Sequence, residues 1–223
     1  MLILALDTTA EFGSIALADE TGTREETLIH APHGFGQALF PRVQSLLESQ
    51  GVTLRHIDLF AAASGPGSFT GVRVGLAAIK GFANVLAKPA AGISNLAALA
   101  EFGTAELRAT LIDARRGEVY AALYDSSGRQ VIGEAVLPFQ RFLERLPAAP
   151  VEWIATDFTP FRAGVSGTRF EAYAVTIAPR ALAGAVARIA IRNALAGHLC
   201  EPAFIEANYV RKSDAELLWK PAG

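Results

Sequence analysis

Apolar and polar positions along this chain follow two periods, and the switches between them mark the elements. Leu2 to Leu6 is a short apolar run ending in Asp7-Thr8-Thr9, and it predicts a strand. Ser14 to Ala18 and Glu25 to His30 predict two more, joined by the turn Asp19-Glu20-Thr21-Gly22. From Gln37 to Gln50 the period turns helical, with Leu39, Phe40, Val43, Leu46 and Leu47 on one stripe and Gly51 as the stop. Ile57 to Ala63 is an apolar run, interrupted by Asp58, and meets Ser64-Gly65-Pro66-Gly67-Ser68, after which helical spacing runs from Thr70 to Leu86. Strand, glycine loop and helix is the predicted order, with Ser68 or Thr70 placed to cap the helix. Pro89 to Ile93 predicts another strand, and Ser94 caps a helix from Asn95 to about Phe102.

The pattern then restarts after Gly103-Thr104. Arg108 to Ile112 predicts a strand ending at Asp113, much as the first strand ends at Asp7. Glu118 to Tyr124 and Gln130 to Leu137 follow as strands, Pro138 to Leu146 as a helix, Val151 to Ala155 as a strand and Pro179 to Ala196 as a long Ala-rich helix. Two consecutive β-β-β-α-β units predict a duplicated α/β architecture, an N-terminal lobe over 1–103, a C-terminal lobe over 104–223 and a cleft between them. The tail, Pro202 to Trp219, is apolar enough to fold back over one lobe.

The Thr70–Leu86 helix carries only Arg73 and Lys80 as charges; the rest is Val72, Val74, Leu76, Ile79, Phe82, Val85, Leu86 and small residues. A helix apolar almost all round is buried on more than one side. Gly71, Gly75 and Ala78 leave strips where another backbone can come close. Two readings stand: a central core helix, or a helix shared between its own sheet and a second protein.

Composition narrows the classes. Apolar residues make up 51% of 223 residues and mean hydropathy is +0.30, yet no uncharged apolar run reaches the roughly 18 residues a membrane span needs. MLILALD lacks a basic leader and meets Asp7 early, so the expected location is the cytoplasm. The lone Cys200 excludes an internal disulfide and a multi-cysteine zinc site. At net charge −2, with no basic run longer than Arg115-Arg116 or Arg211-Lys212, stand-alone nucleic-acid binding has no basic stripe to use. The apolar excess points to a protein partner.

Four motifs carry a resemblance over nearly the full length: LALDTT at Leu4–Thr9, SGPGSFTGVRVGLAAIKGFA at Ser64–Ala83, IDARRGEVYAALY at Ile112–Tyr124 and EANYVRK at Glu206–Lys212. The acidic strand-end loop, the G-P-G-S-F-T-G loop and the duplicated meander resemble the actin/Hsp70/sugar-kinase (ribonuclease-H-like) superfold. More closely, the sequence resembles the TsaB (YeaZ) family of bacterial tRNA threonylcarbamoyladenosine biosynthesis proteins. The second motif is the long and specific one. One departure is Phe35-Gly36, where members of that family often carry a His before the first long helix.

The resemblance implies a non-catalytic scaffold that binds and activates a TsaD-type ligase, which moves a threonylcarbamoyl group onto the adenine next to the anticodon. It further implies a TsaE-type ATPase partner, tRNA reached through the complex, a homodimer in isolation and no membrane role. The interface helices would present Leu39, Val43, Leu46, Gly71, Arg73, Gly75, Ala78, Ile79 and Phe82. The ligase holds its metal through a His-x-x-x-His pair; Asn95 and Leu99 occupy the matching places here, so no metal site and no catalytic residue are expected. Asp7, Thr8, Thr9, Gly65, Gly67, Ser68 and Thr70 match loops that hold nucleotide phosphates in kinases of the superfold. They are either a structural relic or a weak anion site, with ATP or ADP bound only in the complex. His30, His33, His56 and His198 read as loop or surface residues, and neither G-x-S-x-G nor a Walker A occurs. Asp113 with Arg115 and Arg116 is either a structural ion pair or a contact to another subunit or RNA. The alternative function is a phosphotransferase or metallopeptidase-like enzyme of the same superfold.

Overall fold

The chain folds around two five-stranded mixed sheets of the same strand order. A computed structural model describes residues 1–199 and 201–210. The first sheet holds β1 (Ile3–Asp7), β2 (Phe12–Asp19), β3 (Gly22–His30), β4 (Leu59–Gly65) and β5 (Ala90–Ser94) in the order β3-β2-β1-β4-β5. The second holds β6 (Leu107–Asp113), β7 (Glu118–Asp125), β8 (Gln130–Pro138), β9 (Glu152–Ala155) and β10 (Val175–Ile177) in the order β8-β7-β6-β9-β10. In each, the first three strands form an antiparallel meander and the last two join in parallel. The repeat of pattern seen in the sequence is thus a repeat of topology.

Among the described residues six α-helices accompany the sheets: α1 (Leu39–Ser49), α2 (Phe69–Leu86), α3 (Asn95–Ala100), α4 (Phe139–Arg145), α5 (Arg162–Val165) and α6 (Ala183–Leu195). The alternation of strand side chains sorts two cores onto the two faces of the first sheet. Leu4, Leu6, Ile15 and Leu17 face α1 and α2. Ile3, Ala5, Ala16 and Ala18 face α6, whose Ala183, Ala187 and Ala190 sit close because both surfaces are small. β4 is covered on both faces, which is why it reads as an unbroken apolar run.

Two helices pack across the division at 103/104. Helix α6 belongs by sequence to 104–223 but packs on β1, β2 and β4 of the first sheet. Helix α3 makes the reverse exchange: Leu96 and Leu99 join Tyr124 and Ile154 of the second sheet. The linker between the sheets is pinned by Glu152, whose carboxylate accepts from the N–H groups of Thr104 and Ala105, both at 2.7 Å, and from the Thr176 hydroxyl. Burial pushes this carboxyl up, but those donors outweigh it and hold it below the usual range.

The second unit differs where the first has α2. Between β9 and β10 stand a 3-10 turn, Thr159–Phe161, and the single turn α5. An aromatic cluster of Trp153, Phe158, Phe161 and Phe170 fills that space. Neither β10 nor α5 is predicted by the sequence pattern. Of the tail, residues 201–210 lie along α2 on the first lobe; Arg211 to Trp219 and Cys200 lie outside the described residues. Among the described residues α2 is the one helix long and apolar enough to cross a membrane by length and composition, and its buried face lies on β4.

Candidate functional sites in the cleft and on the helical face

The ends of β1 and β4 converge on the N-terminus of α2 and tie a compact polar knot. Asp7 Oδ1 accepts from the Thr9 N–H at 3.0 Å and the Thr9 hydroxyl at 2.6 Å. Asn95 Nδ2 donates to Thr9 Oγ1 at 2.7 Å, and Asn95 Oδ1 accepts from the Gly65 N–H at 3.0 Å. Thr8 Oγ1 donates to the Gly71 carbonyl at 2.7 Å. The Ser68 N–H donates to the Thr9 carbonyl at 2.6 Å, while Ser68 Oγ accepts from the Gly71 N–H and caps α2. The N–H groups of Thr9, Gly65, Ser68 and Gly71 therefore all have partners inside the chain. Thr70 is exposed in the first turn of α2.

Glycines let the knot close. A Cβ on Gly71 would stand 2.0 Å from the Thr8 carbonyl oxygen, one on Gly67 2.5 Å from the Thr9 carbonyl, and one on Gly75 2.6 Å from Thr8 Oγ1. This corrects the expectation that Gly71 and Gly75 leave a strip for a partner's backbone: the strip is filled by the chain's own Asp7–Thr9 loop. Leu39, Leu46 and Ile79, expected at the same interface, are buried in the first-lobe core and face β strands.

The surface that these helices leave open is a different set. A groove of about 870 Å³ runs between α1 and α2, floored by Val43, Leu47, Ala78 and Phe82 and bordered by Phe40, Ala77, Gly81 and Val85. Val85 is 85% exposed and Phe40 53%. Of the expected interface residues, Val43, Ala78 and Phe82 line it. Phe40 and Val85 carry no distinguishing signal in the sequence, since the helical stripe assigns Phe40 to the buried side. Arg73 is on neither wall: its guanidinium lies 3.5 Å from the Phe69 ring centroid and its Nε donates to the Tyr209 hydroxyl at 3.0 Å.

A second cavity, about 240 Å³, opens between the lobes. Asp7, Thr9, Gly67 and Asn95 line it from one side, Ile112, Arg115 and Asp157 from the other. Asn95 and Leu99, at the places matched to the ligase's histidines, are both buried; the Asn95 amide is taken up by Thr9 and Gly65, and Leu99 packs in the interlobe core. Among the described residues no group of three or more His, Cys, Asp or Glu stands where it could hold a metal ion. His30 Nε2 pairs with Glu11 at 2.7 Å, and His56 Nδ1 accepts from the Thr53 N–H. Arg115 pairs with Asp113 at 3.5 Å, an exposed ion pair of little energetic weight.

Asp7 gives the knot a pH signature. Burial pushes its carboxyl above the usual range, against the bonds from Thr9 and Asn95 that act the other way. A raised folded-state value means that the neutral form stabilises the fold: that stability is present below the unfolded value and is lost as pH rises through the folded one. Asp7→Asn keeps the oxygen that Thr9 needs and removes the buried charge. It is expected to melt above wild type at pH 7, with the difference vanishing below about pH 4. Asp7→Ala strands two buried donors and is expected to lose about 1–3 kcal/mol. Thermal melts of both variants from pH 3 to 8 test this; an Asn variant less stable than wild type at pH 7 contradicts it.

Comparison with known proteins agrees with this architecture. Residues 30–217 match a family model described as TsaD, tRNA N6-adenosine threonylcarbamoyltransferase. The chain is 36% identical to the Escherichia coli tRNA threonylcarbamoyladenosine biosynthesis protein TsaB, over 69% of this chain and 70% of that protein. It is 34% identical to the Bacillus subtilis protein of the same name, over 64% of this chain and 62% of that one. The structure superposes on YeaZ from Pseudomonas aeruginosa with a TM-score of 0.80 at 31% identity, covering 93% of this chain and 99% of that one. The chain belongs to the TsaB (YeaZ) family of tRNA threonylcarbamoyladenosine biosynthesis proteins.

Proposed function

We propose that this chain is the non-catalytic scaffold of the machinery that forms N6-threonylcarbamoyladenosine next to the anticodon of tRNA, and that it binds and activates a TsaD-type ligase through the groove between α1 and α2. The observation that carries this reading is the open apolar face of those helices on a chain that matches the ligase's own family model. A partner of the same fold brings an equivalent helix pair, and two such pairs make a bundle whose core is apolar, as in a stable interface. Small residues on the ridge of α2, Ala77 and Gly81, let the partner's helix approach closely. A homodimer in isolation would use the same face. A TsaE-type ATPase, tRNA and any ATP or ADP then belong to the assembled complex. The Asp7 knot, with its donors taken internally, serves the scaffold as structure.

The test is co-purification and titration with the TsaD-type protein of the same organism, beside a threonylcarbamoylation assay with and without this chain. Val85→Asp places a charge at an 85% exposed site and is expected to leave the melting temperature unchanged. At the centre of an apolar interface it is expected to weaken binding at least about 30-fold, the scale of a hot-spot loss. Wild-type affinity in both Val85→Asp and Phe40→Asp would remove the groove as the docking site.

A further inference from the structure

Six of the eleven large apolar side chains exposed among the described residues lie around α2: Phe40, Phe69, Val85, Leu199, Phe204 and Tyr209. Only Phe40 and Val85 belong to the groove between α1 and α2. The others sit on or beside the segment 201–210, which crosses the opposite flank of the same helix. Lys80 Nζ donates to the Ala203 carbonyl at 3.5 Å, and Arg73 Nε to the Tyr209 hydroxyl at 3.0 Å, where Tyr209 stacks on Phe69. Residues 80 and 73 stand seven apart on one face of α2, while Ala78 and Phe82 turn to the groove. Between these faces runs the exposed ridge of Ala77, Gly81 and Asn84.

The segment is seated firmly. Ile205 is buried against Gly92 of β5, where a Cβ would come within 2.9 Å of it. The Asn208 N–H donates to the Ser64 carbonyl at 2.7 Å, and its side-chain amide donates to Glu134 of the second lobe. Yet Phe204, one residue before Ile205, is 72% exposed. An aromatic ring held in water by a seated backbone has no account among the described residues, and rigid aromatic anchors beside an apolar groove are what interfaces use.

We propose that the segment 201–210 is the second wall of the docking surface, and that Phe204 contacts the same TsaD-type partner that occupies the groove. A helix laid on the Ala77–Gly81–Asn84 ridge meets Phe40 and Val85 on one flank and Phe204 on the other. The occupant is therefore a protein presenting an apolar helix face wide enough to touch both walls. This rests on the docking reading above, and the two fail differently.

The experiment is a titration of the TsaD-type protein with wild type, Val85→Asp and Phe204→Asp, with amide hydrogen exchange of the full chain alone and in the complex. Phe204→Asp is expected to bind about tenfold more weakly, one factor of ten being a modest anchor, while the Asn208 amide keeps its protection because the seat is untouched. In the wild-type complex, exchange across residues 203–207 is expected to slow. Wild-type affinity for Phe204→Asp beside a weakened Val85→Asp overturns the second wall and leaves the groove; wild-type affinity in both overturns the docking reading as well. If Phe204→Asp unseats the segment, the exchange comparison on wild type decides alone, and unchanged exchange at 203–207 overturns the proposal.

Discussion

Gly71→Ala is expected to be strongly destabilising, with a denaturant midpoint well below that of wild type. The added methyl group would stand 2.0 Å from the Thr8 carbonyl oxygen, 3.1 Å from its carbon and 3.3 Å from the Thr9 Cα. All three are backbone atoms, so no rotamer change relieves the clash; β1 and α2 must move apart. They cannot part cheaply, because Thr8 Oγ1 donates to the Gly71 carbonyl and the Thr9 carbonyl accepts from Ser68 across the same gap. Ordinary overpacking costs about 1–3 kcal/mol, and here the loss of these buried bonds adds to it, so at least about 3 kcal/mol is expected. Against a typical domain stability of about 5–15 kcal/mol, that is a large fraction. Gly75→Ala meets a side chain, Thr8 Oγ1 at 2.6 Å, and is expected to be milder because that hydroxyl can turn away. Denaturant midpoints for the two variants test the ranking. A Gly71→Ala protein as stable as wild type would mean that the contact between α2 and the Asp7–Thr9 loop is not close. By the same geometry Gly75→Leu would report on folding, not on docking.

The period of the apolar pattern disclosed nearly every strand and helix of the first lobe, because each strand feeds a covered sheet and each long helix has a single buried stripe. It disclosed the duplication for the same reason: Asp7 and Asp113 end equivalent strands in equivalent sheets. Periodicity does not say what a small residue faces. Gly71 and Gly75 satisfy a close approach by any backbone, and only the fold shows that the backbone is the chain's own. Nor does it assign a helix to a lobe, since the apolar face of α6 suits either sheet and the small side chains of Ala16 and Ala18 decide the matter. The three residues of β10 and the four of α5 are too short to show a period. In the candidate sites, Asp7, Thr9 and Gly67 stand out in the sequence because glycine loops and strand-end carboxylates have their own signature; Asn95 enters it only as the place matched to a ligase histidine, and its bonds to Thr9 and Gly65 are seen only in the fold. Phe40, Val85 and Phe204 do not stand out, because an exposed apolar residue looks like a core residue until its neighbours are known.

Installing the ligase-like histidine pair, Asn95→His with Leu99→His, is expected to damage the fold without creating a metal site. Asn95 is 2% exposed and serves two partners in opposite senses, accepting from the Gly65 N–H and donating to Thr9 Oγ1. An imidazole is larger and its two nitrogens diverge at a different angle, so at least one partner is stranded in the interior. Leu99 is fully buried with Leu96, Tyr124 and Ile154 between the lobes. Its replacement forfeits about 2 kcal/mol of apolar burial and introduces a polar ring, at a further 1–3 kcal/mol or so without a partner. The double variant is expected to lose about 5 kcal/mol in all once the stranded donor is included. Two histidines four apart do share a helix face, but a metal-bound imidazole needs a partner for its other nitrogen; on the core side Leu96, Ile154 and Leu182 offer none, and on the cavity side, where Asp7, Thr9 and Asp157 stand, the Asp7 oxygen is already engaged by Thr9. Denaturant midpoints measured with and without added zinc separate the outcomes. A metal that bound the native fold would raise the midpoint in proportion to the logarithm of its concentration. Such a rise in the double variant, absent in wild type, would show that this part of the interlobe region can host a ligand pair.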